Sequence, residues 1–266
     1  MELTRIALGL EYKGTAFCGW QRQAQGYSVQ DALEDALLQV AGQTVEVVPA
    51  GRTDAGVHAS AQVVHFETRV ARPLTAWVRG VNSFLPASVA VLWSRRVDAA
   101  FHARFSARSR SYRYLLLNRP VRPALNSERC GWYHGELDIE RMRQAASLLL
   151  GEHDFSAFRA AECQARSPVR LMRHLEVRRQ GEYIVFDLTA NAFLHHMVRN
   201  IVGTLLWVGR DKRPVEWMEE LLRSRDRTQA GPTAAAAGLH LRHVEYDPSW
   251  GLPLPVDPRY DIGQLD

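Results

Sequence analysis

The order of apolar patterns over residues 4–93 limits this chain more than any other feature. Ile6, Leu8, Leu10 and Tyr12 alternate with smaller or polar residues, which predicts a strand over 4–12. Ser28 then opens a helix, with Asp31 placed as an approximate capping-box partner and Val29, Leu33, Ala36, Leu37 and Val40 as its apolar stripe. Val45–Val48 and Gln62–Phe66 read as the second and third strands. Pro73 begins another helix through Leu74, Trp77, Val78 and Val81, Leu85-Pro86 stops it, and Val89–Trp93 reads as a fourth strand. Strand, helix, strand, strand, helix, strand is the ferredoxin-like, or split βαβ, order. It implies an antiparallel sheet with two helices on one face.

The second half repeats the theme. Tyr112–Leu117 reads as a strand, on which Tyr112 and Tyr114 share one face and Arg113 points from the other. Asp138 or Glu140 opens a third helix, ended by Gly151, and 153–158 is expected to be a short loop. A hairpin is expected from Leu171–Arg178 and Tyr183–Leu188, turning at Gln180-Gly181-Glu182. Phe193–Val208 and a segment opened by Pro214 read as helices, and Leu239–Val244 as a last strand; Pro253–Pro258 reads as an extended tail. The expected class is therefore α+β. Two ferredoxin-like units share an extended, mainly antiparallel sheet, with helices on one face and room for RNA on the other. The expected domains are 1–107 and 108–266.

Composition bounds the function class. Of 266 residues 46% are apolar and 23% charged, as in ordinary globular proteins. No apolar run nears the roughly 18 residues of a membrane span, and the N-terminus carries no secretory pattern. Cys18, Cys130 and Cys163 are scattered and odd in number, so neither a disulfide framework nor a CxxC metal site is expected; a reducing, cytoplasmic compartment fits. The net charge is +4, and only Lys13 and Lys212 are lysines. Arginine forks suit phosphate and base stacking, although a GC-rich genome also favours arginine.

The densest chemistry lies in Gly51-Arg52-Thr53-Asp54-Ala55-Gly56-Val57-His58-Ala59. Two glycines, each able to take a positive φ, flank a carboxylate between two strands. Such a loop holds Asp54 at a sheet edge, although Asp and Gly also make ordinary turns. Asp54 and His58 would share a face only on a helix, which Gly56 and the following strand oppose, so a metal site is not expected. There is no GxSxG, no GxxxxGK[ST] and no GxGxxG after a strand. Phe17–Gln23 reads as a loop with exposed aromatics. Phe101–Asn118 interleaves Arg104, Arg108, Arg110 and Arg113 with aromatics, a pattern suited to phosphate contacts and stacking, or to a solvated strand edge. Arg199 sits on an otherwise apolar helix and needs an anionic partner if packed there, a role open to Asp54; otherwise it is simply exposed.

These segments, taken in order, resemble the bacterial tRNA pseudouridine synthase A family. The likeness rests on GRTDAGVHA (51–59) with QVVHFET (62–68), YKGTAFCGWQRQ (12–23), FHARFSARSRSYRYLLLN (101–118), NAFLHHMVRNIVG (191–203) and DRTQAGPTAAAAGLHL (226–241). The resemblance implies isomerisation of uridine to pseudouridine at positions 38, 39 and 40 of the tRNA anticodon arm. It implies that Asp54 is the catalytic aspartate, that Tyr112 stacks on the flipped uracil, that Arg52 lies beside the target nucleotide and that Arg199 pairs with Asp54. It also implies a homodimer that binds tRNA and needs no cofactor and no metal. A non-catalytic RNA-binding protein of the same fold would need the basic and aromatic segment but not Asp54.

Overall fold

The computed structural model describes residues 3–253, and the expected tail beyond Pro253 lies outside them. In chain order the elements are β1 (Thr4–Tyr12), α1 (Val29–Ala41), β2 (Val48–Pro49), β3 (His58–Thr68), β4 (Val89–Val97), β5 (Ala107–Asn118), β6 (Gly131–Tyr133), α2 (Ile139–Ser147), β7 (Gly151–Asp154), β8 (Val169–Gln180), β9 (Tyr183–Ala190), α3 (Met197–Gly209), α4 (Trp217–Ser224) and β10 (Leu239–Tyr246). The chain forms two compact units, residues 3–108 with 241–253 and residues 109–240. It is mixed α+β, and its strands pair mostly antiparallel, as the apolar pattern predicts. No helix of the described residues is long and apolar enough to cross a membrane.

In the first unit β1 pairs antiparallel with both β3 and β4, and β2 pairs antiparallel with β3. These four strands stand in the order β4-β1-β3-β2, that of a split βαβ sheet, and β10 also pairs with β3. Register explains the two faces. Ile6 lies opposite Phe66 and Leu8 opposite Val64. On that side Phe66 meets Trp77 edge to face, with ring centroids 5.2 Å apart. Trp77 belongs to a helical segment over 74–82 whose centre, Ala76–Gly80, is a π-helix. On the other side Ala7 lies opposite His65, whose Nδ1 accepts the Ala103 N–H at 3.1 Å.

α1 starts where the sequence places it. The Ser28 hydroxyl accepts from the Asp31 amide at 3.1 Å while the Asp31 carboxylate accepts from the Ser28 amide, a reciprocal capping box. Gly42, at φ 67, ends the helix in the left-handed conformation that glycine adopts without strain. The second strand is shorter than its apolar pattern suggests. Val45 and Val47 are buried, but the Val47 N–H goes to the Glu34 carboxylate of α1 at 3.0 Å rather than to a strand. Only Val48 and Pro49 pair with β3.

In the second unit β5, β9, β8 and β7 follow one another, all antiparallel, and β6 adds to β5 in parallel. The expected hairpin is β8–β9, and Asp138 caps α2 by accepting the Arg141 N–H. Residues 151–154 are a strand against β8, which takes His153 and Asp154 out of the expected loop. α3 begins at Met197, four residues later than its apolar run suggests, because His196 has φ 61 and breaks the helical path. α4 likewise begins at Trp217, not at Pro214.

His65 gives the first unit a pH dependence. Burial, assisted by His102 and Arg5, pushes its pKa down to about 4, against the opposing pull of Glu67. The unfolded chain therefore takes up this proton first as acid is added. The associated stability is complete above the ordinary value of 6.5 and is lost as pH falls towards 4. We expect His65→Gln to flatten the decline in unfolding free energy between pH 7 and pH 4.5 by on the order of 2 kcal/mol. Denaturant titrations at several pH values check this. Parallel curves for the two proteins would remove His65 as the cause.

Candidate functional site

Asp54 lies in the turn between β2 and β3, half-buried, with Arg52 exposed two residues before it. The Asp54 carbonyl accepts the Val57 N–H at 3.1 Å, which closes the turn. Gly56 uses the freedom expected of it, at φ 81. Gly51 does not take a positive φ; open space surrounds it, and its carbonyl accepts the Gln62 side-chain N–H at 2.7 Å.

The turn is braced from the segment just after β1. Trp20 donates its backbone N–H to the Thr53 carbonyl at 2.9 Å, and Gly14 donates to His58 Nδ1 at 3.1 Å. Two glycines let these backbones approach. A Cβ on Gly14 would overlap the Val57 carbonyl, and one on Gly19, at φ 115, would sit 3.1 Å from the Thr53 oxygen and 3.2 Å from the Ala55 nitrogen. Phe17 and Trp20 are buried, so the aromatics of this loop are core residues and not the exposed ones expected. Beneath the turn, Tyr12 and Thr53 share a hydroxyl hydrogen bond of 2.9 Å, and Gln62 donates to the Tyr12 oxygen at 3.3 Å. Burial raises the Tyr12 pKa to about 12 in spite of these bonds, so its proton stays in place at neutral pH.

Tyr12, Gly14, Gly19 and Gln62 thus hold Asp54 in position. Sequence reasoning treated Tyr12 and Gln62 only as strand positions. A polar atom at an apolar-facing strand position was their one available signal, since a buried hydroxyl or amide requires a partner.

In the second unit Tyr112 lies on β5 opposite Leu188, and Tyr114 lies opposite Phe186 on the same face. Arg113 points the other way, into a bidentate pair with Asp187 at 2.7 and 3.1 Å. Tyr112 is mostly buried, and Phe193 meets it edge to face at 5.1 Å. The basic residues of this stretch are more occupied than their pattern suggests. Arg108 pairs with Asp247, Arg110 donates to the Asn191 carbonyl at 3.1 Å, and Arg113 is held by Asp187. The strand therefore supplies a ring face more than a row of solvated cations.

Arg199 lies on the first turn of α3, half-buried. Its Nε donates to the Ala234 carbonyl at 2.8 Å, and the Ala234 N–H returns to the Arg199 carbonyl at 3.1 Å. His195 and His196, expected as helical neighbours of Arg199, precede the helix with their rings 4.0 Å apart. Next to Arg199, Asn200 is almost fully enclosed. Its amide donates to the Phe158 carbonyl at 2.8 Å, and its Oδ1 accepts from Thr233 Oγ1 at 2.7 Å and Arg227 Nη2 at 3.0 Å. Neither Asn200 nor Arg227 stood out in the sequence, because an Asn inside an apolar helix and an Arg in a polar loop are both commonplace.

The chain brings Asp54 and Arg52 into one turn, and it places Tyr112 and Arg199 on elements of the second unit. Comparison with known proteins is consistent throughout. The profile of a family described as tRNA pseudouridine synthase matches residues 10–106 and 145–247. The tRNA pseudouridine synthase A of Thiobacillus denitrificans is 59% identical over 251 residues, which cover 94% of this chain and 96% of the relative. That of Dechloromonas aromatica is 60% identical over 257 residues, covering 97% and 98%. That of Pseudomonas aeruginosa is 56% identical over 252 residues, covering 94% and 88%. Matches of this extent define an isomerase that acts on RNA. The chain belongs to the tRNA pseudouridine synthase family.

The brace under Asp54 can be tested apart from turnover. Gly14→Ala is expected to speed hydrogen exchange at the Trp20 and Val57 amides by roughly tenfold or more, while α1 keeps its protection. Native protection at both amides would show that the turn holds without this close approach.

Proposed function

We propose that the enzyme isomerises uridine to pseudouridine at positions 38, 39 and 40 of the tRNA anticodon stem-loop, with Asp54 as the nucleophile. The observation that carries this reading is the mounting of Asp54. One carboxylate stands on a turn fixed from two sides, in a chain matched to the family across both units. The reaction breaks the bond between N1 of uracil and C1′ of ribose and forms one between C5 and C1′. The C5 proton leaves, N1 gains a proton, and the net composition is unchanged. An ionised carboxylate is a competent nucleophile for opening the first bond, whether it acts at the sugar or at the ring.

The detached base has to stay in the pocket while it turns. Tyr112, restrained edge-on by Phe193, offers a ring face for stacking and a hydroxyl for proton movement. Arg199 is the counter-charge to Asp54, and its attachment to Ala234 supports a fixed aim for the guanidinium. Arg52, exposed beside Asp54, reaches the target nucleotide and helps hold it out of the stack. Extracting a uridine costs a few kcal/mol, which arginine contacts to neighbouring phosphates offset. In this reading the protein works as a cytoplasmic homodimer on tRNA, without metal or cofactor.

Transfer RNA tritiated at C5 of uracil separates catalysis from binding, since rejoining through C5 sends the label to water. Native protein is expected to release it. Asp54→Asn should release none while tRNA affinity stays within a few-fold. Turnover by that variant, or no release by the native protein on whole cellular tRNA, would falsify the assignment. Arg199→Leu is expected to lower kcat by at least roughly a hundredfold with little change in tRNA affinity. A fully active variant would dismiss Arg199 as the counter-charge.

A further inference from the structure

Arg227 is a half-buried cation with no carboxylate of a described residue in contact. It sits in the turn Arg227–Gln229, and one of its nitrogens, Nη2, donates to Asn200 Oδ1 at 3.0 Å and to Thr233 Oγ1 at 3.1 Å. Both acceptors are neutral, and Asn200 is itself only 1% exposed. The nearest acid in sequence is turned away. Asp226 spends its carboxylate on the Thr228 amide and hydroxyl and on the Gln229 side chain. Burial alone lowers the Arg227 pKa, with no acid opposing it. Nε and Nη1 make no hydrogen bond to a described residue, and neither is sealed from solvent.

A surface arginine without an acid needs no explanation, but this one is held. Asn200 anchors it to Phe158 and α3, and Thr233 joins the same cradle. The floor beneath the cradle is rigid because backbone meets backbone there. A Cβ on Gly203 would overlap the Pro232 carbonyl, and one on Gly231 would overlap the Gly203 carbonyl. Fixing an arginine fork removes side-chain entropy that a merely solvated residue keeps. Partial burial without an anion adds a desolvation cost. Both costs are offset when an anion with oxygens spaced for the fork arrives, and a phosphodiester is such an anion.

We propose that Arg227 is a preset receptor for one phosphate of the tRNA backbone. The phosphate is close to the target nucleotide, because Thr233 adjoins Ala234, whose carbonyl holds Arg199. The inference rests on the reading of Arg199 given above only for this location; the anion site itself rests on the cradle. Arg227 positions the strand and does not touch the reacting atoms. Asn200 and Thr233 act through it.

Binding and turnover are measured on the full-length protein. tRNA affinity is followed by filter binding from low to moderate salt, and kcat by tritium release at saturating tRNA. Arg227→Ala is expected to weaken binding roughly tenfold at low salt. The slope of log K against log salt should become shallower by about 0.7–0.9, the signature of one phosphate contact. The kcat should stay within about threefold of native, the pattern of lost uniform binding. Arg227→Lys should restore most of the slope and less of the affinity, since it keeps the charge and loses the fork. Thr233→Val leaves the cation in place and loosens it, and should weaken binding, whereas Thr233→Ser should not.

Native affinity and salt slope in Arg227→Ala would overturn the proposal, and so would a loss of kcat at unchanged affinity. If Arg227→Ala does not fold, native affinity in Thr233→Val overturns it instead. Inorganic phosphate separates a free-anion site from an RNA site. Stabilisation of native protein alone, with no change in tRNA affinity between native and variants, would also reject it. Tritium release by the native protein keeps the reading of Asp54 standing in each of these cases.

Discussion

Close approach of backbone to backbone at Gly14 and Gly19 is the constraint on which the Asp54 turn depends. The turn is short and polar, and a short polar turn between two strands is ordinarily mobile. Here it is pinned to the segment after β1 by the Trp20 amide on the Thr53 carbonyl and by the Gly14 amide on the His58 imidazole. Any residue larger than glycine at position 14 would push against the Val57 carbonyl and move the turn. The aromatic core then fixes the brace itself. Tyr12 and Trp20 lie with their rings 5.9 Å apart, and Tyr12 carries its hydroxyl to Thr53 under the carboxylate. Four neutral groups, Gly51, Gln62, Tyr12 and Thr53, form one hydrogen-bonded network around this turn.

The second unit uses the same device. Gly203 on α3 and Gly231 on the segment that returns past it allow their backbones to touch, which brings Ala234 to Arg199 and Thr233 to Asn200. The positive φ of His196 starts α3 abruptly and places Arg199 on its first turn. Such a conformation is strained for a residue with a side chain, and strain of this kind persists where the surrounding structure holds it, often at working sites. Both units thus mount their polar residues on turns that glycine contacts make rigid.

The sequence was a good guide wherever one period dominated. β1, α1 and the β8–β9 hairpin stand where alternation and helical spacing place them, and the Ser28–Asp31 capping box is complete. It was a poorer guide where hydrogen bonds overrode the pattern. Val45–Val47 reads as a strand, yet Glu34, distant in sequence, takes the Val47 amide. Phe193–His196 continues an apolar helical run, yet the backbone at His196 turns out of it. The turn that carries Asp54 was legible because two glycines and a carboxylate in one loop are conspicuous. Tyr12, Gln62 and Asn200 were not, because each acts through a single polar atom whose partner lies elsewhere in the chain. Among the arginines of Phe101–Asn118 the sequence did not show that Arg108, Arg110 and Arg113 find protein acceptors.

That last contrast separates two uses of arginine in one chain. Arg113 and Arg178 share Asp187, and Arg22 pairs with Asp31 and Glu34 of α1, so these cations meet carboxylates within the fold. Pairs like these fasten strands or a loop to a helix and leave little field outside. Arg227 is held instead by an amide and a hydroxyl. Neutral acceptors set direction without cancelling charge, so the cation's field remains available to an arriving polyanion. An enzyme that acts on tRNA gains more from a few cations aimed in this way than from many mobile ones. Each fixed fork has already lost its rotamer freedom before the RNA arrives, so less of the contact energy is lost to ordering the side chain.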